Sequence, residues 1–438
     1  MTCFLTGSKR FMCCCGDFGS FNAGFLSNPY NGVIKEMSCC VTGKNADGFG
    51  FKSTASEIAA GLGKRLDGKL AIVTGASAGL GKEAAKAFYE TGATVVMATR
   101  NEAKTKGVMQ WIEETAVAPK GAGKLVFVRL DLASLESTKA FADAIGKMSE
   151  PIAVLLCNAG IMTPPFTLTG DGYESQFQCN YLSHYYLTML LVDQLKASPD
   201  GARVVNVSSI SHAWVPFPGG CCGGCCSVLC GFGPADFSGA GKWPAQSGSC
   251  CAYDPMGDYS YSKAAQIIFG AELDRRVFQG TKVMAIGAEP GMSMKTEMQK
   301  GKSTGKHTLG GSACLEIVTQ KTPIPTILGC MGMLHDPDVL AATGVYAALS
   351  DKVQRGEYYR HNLKDKPVGP AANPKHGPPL WDLSAKSVYD KIGVKVPYAD
   401  TPAVQAMDRT GGKATSAVTL VVPDPEPAPA AEKSAEMM

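Results

Sequence analysis

The sequence predicts a doubly wound α/β fold, a parallel sheet with helices on both faces. Three observations point to it. Short apolar runs alternate with helix-length connections from about residue 69 onward, the runs are apolar on both faces, and the first is followed at once by a glycine-rich turn. A strand with no polar alternation belongs to a sheet that is covered on each side. The predicted strands are Leu70–Thr74, Thr94–Ala98, Leu125–Leu130, Ile152–Leu156, Arg203–Val207 and Lys282–Ala288, with a seventh near Gly356–Tyr359.

Composition narrows the classes of function. The 438 residues are 45% hydrophobic and 18% charged, so the chain can bury a full core and is not a disordered protein. Lys plus Arg number 42 against 39 Asp plus Glu, a net charge of +3 with no basic block, which excludes a nucleic-acid footprint as the expected mode of action. Every apolar stretch is interrupted before the roughly 18 residues that a membrane-spanning helix needs, so the expectation is a soluble or peripheral protein with no transmembrane segment. Of 17 cysteines, six lie within residues 3–40 and seven within 221–251. Sulfur clustered in two glycine-rich patches of a long chain is not a secreted disulfide scaffold, and a reducing compartment is favoured. Organelle targeting stays open, and Cys13, Cys14 and Cys15 are not read as a lipid anchor.

Three parts follow from the pattern. Residues 1–66 are rich in Gly, Cys, Phe and Ser without helical or strand periodicity and read as an extension. Residues 67–365 carry the α/β pattern, with an insertion at about 214–257. Residues 366–438 form a C-terminal extension, expected to be disordered from about residue 410, where Pro, Ala, Glu and Lys dominate.

After the first strand stands Thr74-Gly75-Ala76-Ser77-Ala78-Gly79-Leu80-Gly81, then a run of good helix formers. Glycines allow a tight turn and a close approach of the backbone to a pyrophosphate, whose charge meets the free N–H groups and positive end of the helix. Gly75, Ser77, Gly79, Leu80 and Gly81 are therefore candidate cofactor contacts in a Rossmann-like domain. The tip of the second strand reads Thr99-Arg100-Asn101. A carboxylate there would take a ribose 2′-OH, whereas a base accommodates a 2′-phosphate. Arg100, with Lys82 beside the turn, predicts NADP(H) over NAD(H), and Glu102 is the nearest acid.

Farther along come Asp131-Leu132 after the third strand, Asn158-Ala159-Gly160 after the fourth and Asn180 within Phe177-Gln178-Cys179-Asn180. Val207-Ser208-Ser209, Tyr259-Ser260-Tyr261-Ser262-Lys263 and Pro290-Gly291 complete the series. In this order, over about residues 68–300, the chain resembles the short-chain dehydrogenase/reductase family. Asp171–Glu174, Tyr181–Thr188 and Gly344–Tyr346 look most like its retinol dehydrogenase and WW-domain oxidoreductase branch, although no WW domain is visible.

Independently of the resemblance, a Tyr four residues before a Lys on a helix shares its face, and an ammonium there would lower the phenol from its reference pKa of about 10. The resemblance implies that Tyr259 exchanges the proton with a carbonyl or alcohol oxygen while hydride passes to or from nicotinamide. It implies that Lys263 also holds the nicotinamide ribose, that Ser209 binds the reacting oxygen, and that Asn180 maintains a proton path to Lys263. Asp131, Leu132, Asn158, Ala159, Gly160, Pro290 and Gly291 would line the cofactor site. Tyr261 at i,i+2 faces away from Lys263, and strand alternation lets only one of Ser208 and Ser209 face the site. His184 and His212 are read as packed or loop residues.

The insertion holds Cys222 and Cys225 at the spacing of a zinc pair, with Cys250 and Cys251 beyond. Doubled cysteines fit structural zinc poorly, so no metal ligand is assigned. Met292, Met294, Met298 and the stretch Pro323–Met333 suit a lipophilic substrate. The expected activity is reduction or oxidation of a hydrophobic carbonyl or alcohol, with a homo-oligomer or larger assembly open. The alternatives are a dinucleotide-binding structural subunit and an enzyme like light-dependent protochlorophyllide reductase.

Overall fold

A computed structural model describes residues 43–118, 121–214, 255–291 and 335–402. It also gives the backbone of three short strands, Phe4–Thr6, Arg10–Cys13 and Gly16–Ser20, which pair antiparallel in sequence order.

The main sheet has eight strands: β1 Leu70–Thr74, β2 Thr94–Thr99, β3 Lys124–Arg129, β4 Ile152–Cys157, β5 Arg203–Val207, β6 Met284–Glu289, β7 Tyr358–Arg360 and β8 Leu363–Asp365. Its order is β8-β7-β6-β5-β4-β1-β2-β3, parallel except for the β7–β8 hairpin. Nine helices of α type run among the described residues. They are α1 Ala55–Leu62, α2 Gly79–Glu90, α3 Glu102–Thr115, α4 Leu135–Ile145, α5 Ser183–Leu190, α6 Val192–Lys196, α7 Pro255–Leu273, α8 Pro337–Leu349 and α9 Gly377–Ile392.

Alternation sorts the strand side chains into two cores. Leu70, Ile72, Val96 and Ala98 pack on one side with α4, α5, α7 and α9, while Ala71, Val73, Val95 and Met97 pack on the other with α1, α2 and α8. β1, β2 and β4 are buried along their whole lengths, as a sheet covered on both faces requires; β3 closes the edge and ends on half-buried and exposed residues. The order of strands reverses between β1 and β4, and their carboxyl ends diverge there into the crevice where such sheets bind ligands.

Two segments read from sequence as extensions are packed against this body where they are described. α1 begins with a capping box: Thr54 N–H donates to Glu57 Oε2 at 2.8 Å and Glu57 N–H to Thr54 Oγ1 at 3.2 Å. It buries Ala55, Ile58 and Ala59, a stripe too short and too poor in large side chains to show as periodicity. Just before it, Asp47 accepts hydrogen bonds from Tyr346 Oη of α8 at 3.0 Å and from Ser350 Oγ at 2.6 Å. At the other end, α9 sets Leu380, Trp381 and Val388 into the first core, and the Trp381 indole donates to Ala399 O at 2.7 Å. Residues 215–254, with the cysteine pairs, the segment 292–334 with its methionines, and the tail past residue 402 lie outside the described residues.

Candidate active site

The glycine turn is held together by close packing. Gly75 adopts φ +71°, and a Cβ there would lie 2.9 Å from Ala159 Cα; at Gly81 it would lie 2.5 Å from Gly75 O and 2.6 Å from Asn158 Nδ2. Only the hydrogen of glycine fits at either place. Ala78, the residue capping α2, makes no side-chain hydrogen bond to the first turn of the helix. Beside the turn, Thr74 Oγ1 accepts from Asn158 N at 2.9 Å and Ala159 N at 3.0 Å, and Asn158 Nδ2 donates to Thr74 O at 3.0 Å. The turn and the Asn-Ala-Gly segment are thereby one unit.

At the tip of β2, Arg100 is exposed. Glu102 is turned along α3 to Lys106, 2.8 Å away, and Lys82 lies 3.4 Å over the Trp111 ring, so of the three charges weighed for the 2′ position Arg100 alone is not committed in this way. Asp131 caps the turn after β3 through Ala133 N at 3.0 Å, and Leu132 O accepts from Ser183 Oγ at 2.7 Å. Cys179 sits by this end: burial pushes its thiol up to about 12, Asp131 adds to the rise and Arg100 opposes it.

The reacting end is built by β5, α7 and the π-helical turn Phe177–Leu182. Tyr259 is 5% and Lys263 2% exposed, and Lys263 Nζ stands 5.7 Å from the centre of the Tyr259 ring. Just past the end of β5, Ser209 lies by the Tyr259 phenol and lowers its pKa, whereas Ser208 donates to Lys263 O at 2.8 Å. Lys263 Nζ donates to Val207 O at 3.0 Å and to Gln266 Oε1 at 3.0 Å. Asn180 accepts from Ile161 N at 2.7 Å and donates to Ile161 O and Ser262 Oγ, each at 2.9 Å. A Cβ at Gly160 would come within 3.2 Å of Asn180 Oδ1 and 3.4 Å of Lys263 Nζ, which places Gly160 against both. Tyr261 packs beside the first core.

Electrostatics depart from the expectation drawn from the Tyr–Lys spacing. Burial raises the Tyr259 phenol to about 12; the Ser209 hydrogen bond lowers it in part and the charge of Glu289 raises it. Burial alone drops Lys263 to about 7. The phenol is not lowered by the lysine, because burial disfavours both charged forms and the amine is directed at Val207 O and Gln266.

Two buried histidines brace this end. A carbonyl can only accept, so His184 Nδ1–H donates to Asn180 O at 2.9 Å and its Nε2 receives Thr74 Oγ1–H at 2.9 Å. His212 Nδ1–H likewise donates to Ser209 O at 2.7 Å while its Nε2 accepts Val368 N–H at 3.3 Å. Burial lowers both rings to about 4 and keeps them neutral at neutral pH. A small pocket of about 10 Å³ lies beside the glycine turn, lined by Leu80, Asn158, Val207, Pro290, Leu340 and Gly344.

A family model for short chain dehydrogenases matches residues 69–222. The chain is 31% identical to retinol dehydrogenase 13 of Mus musculus over 328 residues, 74% of this chain and 84% of that protein. It is 33% identical to the WW domain-containing oxidoreductase of Gallus gallus over 348 residues, covering 79% and 73% of the two chains. The chain belongs to the short-chain dehydrogenase/reductase family. It falls in the branch of the retinol dehydrogenases and WW domain-containing oxidoreductases, and is a dinucleotide-dependent oxidoreductase of CH–OH or C=O groups. A crystal structure of an uncharacterized protein from Mycobacterium paratuberculosis shares the fold, with TM-score 0.52 and 27% identity over 79% of this chain and 99% of that one.

This short-chain oxidoreductase also uses residues that the sequence pattern did not single out. Glu289, fully buried at the end of β6, accepts from Gly291 N at 2.7 Å and acts on Tyr259. A carboxylate at the end of an otherwise apolar strand was the available signal. Gln266 and Thr74 are the others; Gln266 reads as a core position on α7 until its contact with Lys263 is seen. Among the described residues no helix is long and apolar enough to cross a membrane, and no group of three His, Cys, Asp or Glu could hold a metal.

Proposed function

We propose that the protein reduces a hydrophobic carbonyl, or oxidises the matching alcohol, with NADP(H). The observation that carries this reading is the convergence of the Tyr259 phenol, the Ser209 hydroxyl and the Lys263 amine, with Gly160 against the amine and the adjoining Ala159 against Gly75 of the glycine turn. The dinucleotide, when bound, supplies or accepts the hydride. Tyr259, protonated at neutral pH, gives its proton to the carbonyl oxygen, and Ser209 holds that oxygen in line. Lys263 holds the nicotinamide ribose, and Asn180 fixes the Gly160–Ile161 wall beside it. Gly75, Ser77, Gly79, Leu80 and Gly81 take the pyrophosphate; Asp131, Leu132, Asn158, Ala159, Gly160, Pro290 and Gly291 line the rest of the dinucleotide. The exposed guanidinium of Arg100 favours a 2′-phosphate. The similarity to a retinol dehydrogenase supports a lipophilic substrate.

The test is turnover of a panel of retinoids, aliphatic aldehydes and ketones with NADPH and NADH. Tyr259→Phe should lose about 10²–10⁴-fold in turnover and still bind the dinucleotide. Arg100→Ala should weaken NADPH and leave NADH unchanged. Binding without turnover on every substrate by the unaltered protein would replace this reading with a structural role.

A further inference from the structure

We propose that Gln266 is the positioning residue for Lys263, holding its amine with a neutral acceptor so that the lysine stays titratable in the site. The inference deepens the oxidoreductase reading and rests on it only for its consequence in turnover.

Position 266 belongs to the interior. It is 1% exposed on α7, and its neighbours Ala264, Ala265, Ile267, Ile268 and Phe269 are all buried. An apolar side chain is the ordinary occupant of such a place. Instead an amide stands there, with Oε1 accepting from Lys263 Nζ at 3.0 Å and Nε2 without a hydrogen-bond partner among the described residues. A buried amide left half satisfied is a local loss, and the feature that offsets it is the lysine.

The geometry says what the amide does. An ammonium has three N–H donors. Val207 O at the end of β5 and Gln266 Oε1 take two of them, each at 3.0 Å. Gly160 stands against the amine from the opposite wall, where a Cβ would come within 3.4 Å of Nζ. One donor of an ammonium is therefore left without an acceptor among these groups.

Both anchors are uncharged. A carboxylate at position 266 would fix the lysine as an ammonium, while an aliphatic group would leave it to burial and the single carbonyl. The titratable groups facing Lys263 are Tyr259 on its own helix and His184 from α5, with Glu289 acting on Tyr259 from β6. None of them is a counter-ion touching the amine.

The experiment titrates Lys263 in the full chain by NMR of ¹³Cε-labelled lysine, with its resonance assigned by loss in Lys263→Arg. Gln266→Leu should lower the midpoint by about one to two pH units, the worth of a hydrogen bond to a charged group. Gln266→Glu, close in shape, should raise it by about one to three. Asn206→Leu is the packing control. The Asn206 amide is also buried without a partner among the described residues, and faces α7 where a Cβ at Gly270 would lie 2.9 Å from its Nδ2. That variant should leave the midpoint where it is. An unshifted midpoint in Gln266→Glu, or an equal shift in Asn206→Leu, overturns the proposal. If Gln266→Leu does not fold, Gln266→Glu decides the matter alone. Absence of turnover in the unaltered protein would count against the oxidoreductase reading and leave this titration decisive.

Discussion

Replacing Gly81 by alanine tests whether the glycine turn is a precise support or a tolerant loop. A Cβ at this position would sit 2.5 Å from Gly75 O and 2.6 Å from Asn158 Nδ2. Non-bonded contacts settle at about 3.5–4.0 Å, so the turn and the Asn158 amide must separate from α2 by about 1 Å. Overpacking of that kind costs about 1–3 kcal/mol, offset in part by the better helix propensity of alanine, about 1 kcal/mol. Melting should fall by roughly 1–4 °C. Binding should suffer more, because Asn158 Nδ2 ties the Asn-Ala-Gly segment to Thr74 O at 3.0 Å and both line the cofactor end. A displacement of about 1 Å there predicts a loss of about 10–100-fold in NADPH affinity, measured by calorimetry. Gly107 in α3 is the control, since a Cβ there meets nothing within 4 Å and alanine should stabilise by up to about 1 kcal/mol without touching affinity. Unchanged NADPH affinity in Gly81→Ala would refute the close-packed turn.

Two further outcomes follow from buried polar groups. His184, His212 and His361 each stand at about 4 in the folded chain, below their ordinary 6.5, chiefly through burial. The unfolded chain then binds protons that the folded one refuses, so the stability these rings allow is complete above pH 6.5 and falls as the pH drops toward 4; denaturant midpoints measured across that window should decline, and a flat profile would show the rings to be solvated. Asp47→Ala removes the acceptor for Tyr346 Oη and Ser350 Oγ and should cost about 1–3 kcal/mol in chemical denaturation, with part of it recovered in Asp47→Asn; an unaffected midpoint would mean the 43–54 segment does not brace α8.

Much of the sheet was legible because its cause is local. β1 and β5 occupy the residues expected, β2, β3, β4, β6 and β7 differ by a residue or two at their ends, and β8 and the three short strands within residues 4–20 were not expected. A run such as Leu70–Thr74, apolar throughout and followed by a glycine turn, has few other solutions in water. α1 and α9 were not legible. α1 presents one large buried side chain, Ile58, between alanines, and it packs with α2 and with α8, the latter far along the chain. α9 follows a proline-rich stretch, and Trp381 earns its place only through Tyr185, Phe269 and Arg276, whose positions depend on the completed layer.

The site divides along the same line. Which residues meet was readable, because a Tyr and a Lys one turn apart and a serine at a strand end need only local geometry to be placed. What their protons do was not, because that depends on how deeply α7 is pressed against β5. Burial takes Tyr259 up to about 12 and Lys263 down to about 7, so at neutral pH the phenol keeps its proton while the amine stands close to its midpoint. A protonated phenol is the form that gives a proton to a carbonyl oxygen, whereas removing one from an alcohol requires phenolate. Ser209 and Glu289 then act in opposite directions on this one proton, the hydroxyl stabilising phenolate and the carboxylate opposing it. The protonation of Tyr259 therefore depends on two residues flanking it, not only on Lys263, the partner that sequence spacing brings to notice first.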